Sequence, residues 1–328
     1  MSMGVGIGRR EITGMVVGAV VLALLPMVVQ DSYYRHLLIM VFIYGIVASS
    51  WDLSLGYAGI FNFGHMALFG IGLYTYGLAT TLLGISPWIA LLAGGVLAAL
   101  AAALISLPIL RLKGIYVVLV TFAFGQLVVQ LIISQSDYTG GNQGLVRIPS
   151  FHIPGHNLMR DHKLGFYYIA LILLCCSTVF LRLMVRSRLG LAIRALRDNE
   201  EYATSRGISI SRQRLITMAG SAVFTGLAGA FYGAYFRNAS TDVFGASLTT
   251  LLLSMVLLGG ISTIYGSLLA ALLLTIFSEM IAGLGAWRPI VIGVLIILVM
   301  LAYPGGLYGA IAAAARALRR LGRRQASP

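Results

Sequence analysis

Charge is scarce in this 328-residue sequence, and acidic charge is scarcest: 10 Asp and Glu stand against 23 Lys and Arg, and charged residues make up only 10% of the chain. A water-soluble domain carries about 25% charged side chains. A surface built from so few is matched to lipid, which excludes a soluble globular protein. Cysteine is nearly missing. Cys175 and Cys176 are neighbours within an apolar run, so neither a disulfide framework nor a thiolate metal site can be assembled. There is no G-x-x-x-x-G-K-[ST] phosphate loop and no potassium-type filter sequence. No apolar segment carries a row of acidic residues; Asp52 and Glu279 stand alone. An ion-driven carrier needs such groups in its membrane segments. No nucleophile–base pair or metal-ligand cluster suggests an enzyme. The expectation is a chain that binds no cofactor and no metal, and that is energised from elsewhere.

What is present is apolar length. Hydrophobic residues make up 59% and the mean hydropathy is +0.92. A spanning helix needs about 20 mostly apolar residues, and the sequence predicts spans near 12–30, 37–55, 60–83, 87–107, 115–135, 165–185, 213–235, 247–263, 265–283 and 289–304. The eighth and ninth are nearly continuous. The first is too long for a signal-peptide core and lacks a small-x-small site before Asp31, so it reads as a retained helix. The fold class is therefore an all-α, polytopic membrane protein of about ten transmembrane helices. Its membrane domain covers 1–306, with a basic tail over 307–328.

The basic residues cluster between the apolar runs, which is the pattern of membrane orientation and not of nucleic-acid binding. With the N-terminus inside and ten crossings, 17 of the 23 Lys and Arg fall on the cytoplasmic side. They include Arg9, Arg10, Arg111, Lys113, the arginines from Arg182 to Arg214 and those of the tail. Both termini are then cytoplasmic. The polar, turn-rich loop 136–164 is external and the charged loop 186–212 is internal. The arginine-rich tail is expected to form a helix on the inner leaflet.

Three segments invite a functional reading. Five glycines interrupt Leu55 to Gly72, a density that destabilises a helix by about 1 kcal/mol each relative to alanine. Membranes tolerate it where helices pack closely or where irregular backbone lines a cavity. Asn62 and His65 lie three apart here, so they are placed either for interhelical hydrogen bonding or along a solute path. Phe61 beside them, and Thr121 and Gln126 in the fifth span, complete the path candidates. The third segment, Gly190 to Gly207, alternates charges along a short predicted helix around Leu191 to Ser205. It is either a solvated face or a docking helix for a cytoplasmic partner. Gly207 suits a left-handed helix end.

Together these residues resemble a known family. Gly56-Tyr57-Ala58-Gly59 through Gly64-His65 is similar to the signature of branched-chain amino-acid ABC transporter permeases of the LivM type. Arg111 to Tyr116 with Thr121 to Gly125, Thr139-Gly140-Gly141 with Gly144-Leu145, Ser187 to Gly190 with Ala192 to Glu200, and Gly259-Gly260 with Gly266 follow in the same order. The resemblance covers roughly residues 35–305. It implies the ten-helix importer permease fold of the ribose and branched-chain amino-acid permeases, in the bacterial inner membrane. It also implies a second, LivH-type permease subunit, two cytoplasmic ATP-binding subunits that consume the ATP, and a periplasmic solute-binding protein. Glu201-Tyr202-Ala203-Thr204-Ser205-Arg206-Gly207 resembles the E-A-A-x-x-x-G coupling motif, with Tyr202 in place of an alanine. The resemblance assigns Arg194, Arg197, Glu200, Glu201, Ala203 and Gly207 to ATPase coupling. The implied solutes are branched-chain or related amino acids; urea, short amides and aromatic acids are carried by the same machinery. A stand-alone secondary carrier and a passive channel are the competing classes.

Overall fold

The computed structural model describes residues 9–29, 31–152, 163–303 and 305–309. The tail helix expected beyond residue 309 lies outside them. The described residues are mostly helical, in the order α1 (Arg9–Val28), α2 (Ser32–Asp52), α3 (His65–Thr81), α4 (Pro87–Ile109), α5 (Ile115–Ser134), a one-turn α6 (Ser136–Thr139), α7 (Leu164–Arg186), α8 (Arg188–Asp198), α9 (Glu200–Ser205), α10 (Ile210–Phe236), α11 (Ala246–Gly259), α12 (Ile264–Met280) and α13 (Arg288–Ala302). An apolar helix stands at each of the ten predicted spans. Seven are long and apolar enough to cross a bilayer. The α3, α11 and α12 helices are shorter, with 17, 14 and 17 residues.

The boundaries follow local chemistry. Asp31 accepts the amide of Tyr33 at 2.8 Å and starts α2. Pro87 opens α4, where its missing N–H costs nothing. One span and one loop differ from the sequence expectation. The third begins at His65, not near 60, because the chain leaves helical geometry between Ala58 and Gly64. The loop 186–212 holds two helices, α8 and α9. Asn199 is extended (φ −156°) and breaks the run, and its side chain then caps α9 by accepting the Tyr202 amide at 2.9 Å.

Helix α10 runs through the centre against α3 and α4, and α2 packs beside it against α7 and α12. Without a hydrophobic difference between lipid and side chain, small residues that allow close approach drive such contacts. Here a Cβ on Gly72 would lie 2.1 Å from the carbonyl oxygen of Gly226, and one on Gly229 would lie 2.0 Å from that of Phe69. Trp51, Tyr76, Tyr167, Phe69 and Phe231 fill the remaining core and are fully buried. Helices α1, α5 and α13 sit at the periphery with large exposed apolar faces. Glu11 ties α1 to the bundle: its carboxylate pairs with Arg182 and Arg186 of α7 and accepts the Tyr265 hydroxyl of α12.

At the end of the bundle reached by α5 and α10, Thr139 donates to the Ile132 carbonyl and the chain turns through Gly140, Gly141 and Gly144, all with positive φ. A two-residue strand β1 (Leu145–Val146) then pairs antiparallel with β2 (Asn238–Ala239). The part of this loop up to Pro149 is thus packed onto the bundle; the Tyr76 hydroxyl reaches the Pro149 carbonyl at 2.8 Å.

Candidate functional site

The α2 helix does not end cleanly. Residues Leu53–Tyr57 form a π-helical turn, and residues 58–64 are irregular before α3 begins. Single π turns inside helices recur at functional sites. Each glycine of the segment admits a specific neighbour. A Cβ on Gly56 would stand 2.1 Å from Asp52 Oδ1 and 2.5 Å from the Ser262 amide, one on Gly59 2.8 Å from Arg197 Cγ, and one on Gly64 2.7 Å from the Thr121 carbonyl. The glycines thus let α2's end, the α11–α12 turn, α8 and α5 converge on one stretch of backbone.

Asp52 sits at this convergence, fully buried, with Oδ1 accepting the Ser262 amide at 2.8 Å. Ser262 holds a left-handed φ of 65° in the turn between α11 and α12. Arg197 reaches in from α8. Its Nη1 donates 2.8 Å to the Gly56 carbonyl and 2.8 Å to Ser262 Oγ, while the rest of the guanidinium meets Asp198. One side chain therefore bonds the 186–212 loop to the broken end of α2 and to the α11–α12 turn.

The path candidates divide. Asn62 is buried: its Oδ1 accepts the Gly64 amide at 2.9 Å and its Nδ2 faces Met218 Sδ at 3.8 Å. His65 is fully buried, 2.8 Å from Thr225 Oγ1 and stacked on Trp51 at 5.2 Å between ring centroids. Thr121 is buried and receives the Phe63 amide at 3.0 Å. These three fasten the irregular segment to α5 and α10, so interhelical bonding describes them, not an opening onto a free surface. Phe61 and Gln126 are exposed. Gln126 belongs to a stripe on α5, with Leu119, Phe122, Gln130 and Ser134, spaced by three and four residues and exposed throughout. Amide side chains at membrane depth are costly against lipid and belong against protein or water.

Replacing His65 with Leu removes the Thr225 bond and leaves that hydroxyl with only its own helix. The expected outcome is a loss of stability of about 1–2 kcal/mol, read as a lower melting temperature of the purified chain.

The coupling candidates also divide. Arg194 turns inward, donating to the Gly190 and Val185 carbonyls at 3.1 and 2.8 Å. Glu200 pairs with Lys113 at 3.5 Å and with Arg214 at 3.2 Å, which clips α9 to the α4–α5 connection and to α10. Ala203 is buried. Glu201 projects outward with exposed Tyr202, and Leu191 is exposed on α8. Gly207 takes φ +83° just beyond α9, the left-handed end its position suggested. Arg194, Arg197 and Glu200, expected at a partner's surface, are thus bound to their own chain, because each finds carbonyls or opposite charge at the helix ends beside α8 and α9.

The sequence marks Asp52 only as an isolated acid and gives no role to Ser262 or Gln130. An acidic residue inside an apolar span was a signal, but its partner is a backbone amide 210 residues away, which no pattern of side chains reveals. Among the described residues no group of three His, Cys, Asp or Glu is placed to hold a metal.

A bundle of apolar helices, with an irregular, glycine-lined segment following α2 and charged helices packed against it at one end, defines a polytopic membrane permease. The chain belongs to the family of branched-chain amino acid transport system permease components, whose model matches residues 33–300. It is 30% identical over 286 residues to the high-affinity branched-chain amino acid transport system permease protein LivM of Escherichia coli, covering 81% of this chain and 67% of that protein. It is 29% identical to the LivM of Salmonella typhimurium, covering 82% and 68%. A probable LivM of Methanocaldococcus jannaschii is 26% identical, covering 66% and 72%. No solved structure was found to match.

Proposed function

We propose that this chain is one half of the membrane path of an ABC importer for branched-chain amino acids, with its N- and C-termini in the cytoplasm of a bacterial cell. The observation that carries the reading is the division of the α8–α9 loop into two faces. The outer face, with Leu191, Glu201 and Tyr202, is exposed and mixes apolar and acidic groups as a docking surface does. The inner face, with Arg194, Arg197 and Glu200, is bonded to the ends of the membrane helices. A surface exposed on one side and anchored on the other can transmit a push.

In this reading two ATP-binding subunits press on α8–α9. The movement reaches the end of α2 and the segment 58–64 through Arg197, and the inner end of α5 through Glu200 and Lys113. The exposed stripe of α5, with Phe61 at its inner end, faces a second, LivH-type permease subunit across the path. A zwitterion needs few fixed charges to pass, so side-chain amides at Gln126 and Gln130 with apolar neighbours suffice. A periplasmic binding protein delivers the solute at the opposite end and sets most of the selectivity.

Two variants test this. Glu201→Lys reverses charge on the exposed face only; ATPase co-purification is expected to weaken at least about tenfold, the scale of a lost charge-assisted contact. Undiminished co-purification and uptake would remove α9 from the docking site. Gln126→Leu leaves assembly intact and is expected to lower leucine uptake about tenfold, equivalent to one hydrogen bond of about 1.4 kcal/mol. Full uptake would place the path elsewhere.

A further inference from the structure

A second polar site lies away from the α2–α8 junction, in a cavity of roughly 350 Å³ between α2, α11, α12 and α13. Its polar groups are the hydroxyls of Tyr44, Ser247, Thr250 and Ser278 and the guanidinium of Arg288, set against apolar walls such as Ile292. Arg288 is partly buried, and its Nε donates 2.7 Å to Ser278 Oγ. Among the described residues no carboxylate or carbonyl meets its other nitrogens. The nearest acid in sequence to Ser278 is Glu279, which instead accepts the Tyr33 hydroxyl at 3.3 Å. Helices α11 and α13 both begin at this cavity, and neither start has a side-chain cap. Two helix N-termini and the guanidinium bring positive potential to the cavity, and Glu279, the acid nearby, is turned to Tyr33. A cation so placed, in a membrane protein, calls for a counter-anion.

The surroundings say what carries that anion. The cavity rim at Gly285 and Pro289 is exposed, and Trp287 beside it is 67% exposed, an aromatic at a helix end as interfacial anchors are. Ile290, Val294, Ile297 and Leu301 form an exposed apolar strip on the opposite face of α13 from Ile292, so this helix borders lipid along its length. We infer that this cavity holds the phosphodiester of an anionic phospholipid, on Arg288 and the hydroxyls, with its acyl chains leaving into the bilayer through the exposed rim at Gly285 and Pro289. The site depends on the chain spanning a bilayer and not on its importer role, so the two stand or fall separately.

Native mass spectrometry of the purified full chain with added phosphatidylglycerol tests the assignment. One lipid per chain is expected to survive dilution. Arg288→Gln should reduce its retention at least about tenfold, the effect of losing a charge-assisted hydrogen bond to phosphate, and Arg288→Lys should retain part. Arg147→Gln, which removes the same charge from an exposed loop, should change nothing. Should Arg288→Gln fail to fold, Ser247→Leu, which fills the cavity, serves in its place with the same expected loss. Equal retention in wild type and cavity variants would overturn the proposal. Complete displacement by inorganic phosphate would overturn the lipid assignment and leave a free-anion site.

Discussion

Arg197→Ala is expected to leave the permease folded and its ATPases bound and turning over, while uptake per ATP falls at least about tenfold. The magnitude follows from two charge-assisted hydrogen bonds, each of about 1.5–3 kcal/mol, at Gly56 and Ser262. The side chain is about one-third exposed, so the lower end of that range applies. Without these bonds α8 can move while the end of α2 and the α11–α12 turn stay behind. Arg197→Lys tests the geometry. A lysine brings a single ammonium in place of the planar fork, so partial rescue is expected. A merely structural role would lower yield and melting temperature in both variants together. Coupling loss with an unchanged melting temperature is the distinguishing result, and a normal uptake-to-ATP ratio in Arg197→Ala would remove the strut.

Gly72→Val should have the largest effect on folding. Its Cβ would stand 2.1 Å from the Gly226 carbonyl oxygen and 2.7 Å from that residue's Cα. These are backbone atoms, which cannot swing aside as a flexible side chain does. Overpacking of this kind costs about 1–3 kcal/mol or more; here α3 would be levered off α10, and α4, which meets both, would follow. Recovery of folded chain from the membrane is expected to collapse. Gly18→Val on the peripheral α1, where a Cβ meets nothing within 4 Å, should be neutral. Equal recovery of the two variants would refute the tight α3–α4–α10 packing.

Much of this architecture is legible in the residues themselves. Helix positions follow from apolar runs, because a backbone in lipid must satisfy its hydrogen bonds within each segment. Gly207 announces a left-handed helix end, and Asn199 announces a cap only once the break it causes is known. The irregular stretch 58–64 is foreshadowed by its glycines, yet a count of apolar residues runs the third span through it. The site itself is less legible. Asn62 and His65 look alike in sequence whether they line a path or fasten helices. What decides is the position of Met218 and Thr225, 156 and 160 residues away. The same distance problem hides Asp52, whose partner is an amide and not a side chain. Arg197 and Glu200 read as surface charges because their spacing fits a solvated helix. They turn inward because uncapped carbonyls and an opposite charge await them at the helix ends.

The account rests on the loop that carries α8 and α9 facing the cytoplasm. With Cys175 and Cys176 replaced by alanine and a single cysteine introduced by Ser205→Cys, at an exposed position on α9, a membrane-impermeant maleimide reports that directly. No labelling of intact spheroplasts and full labelling of inverted membrane vesicles are expected. Labelling of intact spheroplasts would put the loop outside, beyond the reach of any ATPase, and would contradict the proposed route of energy into the membrane path.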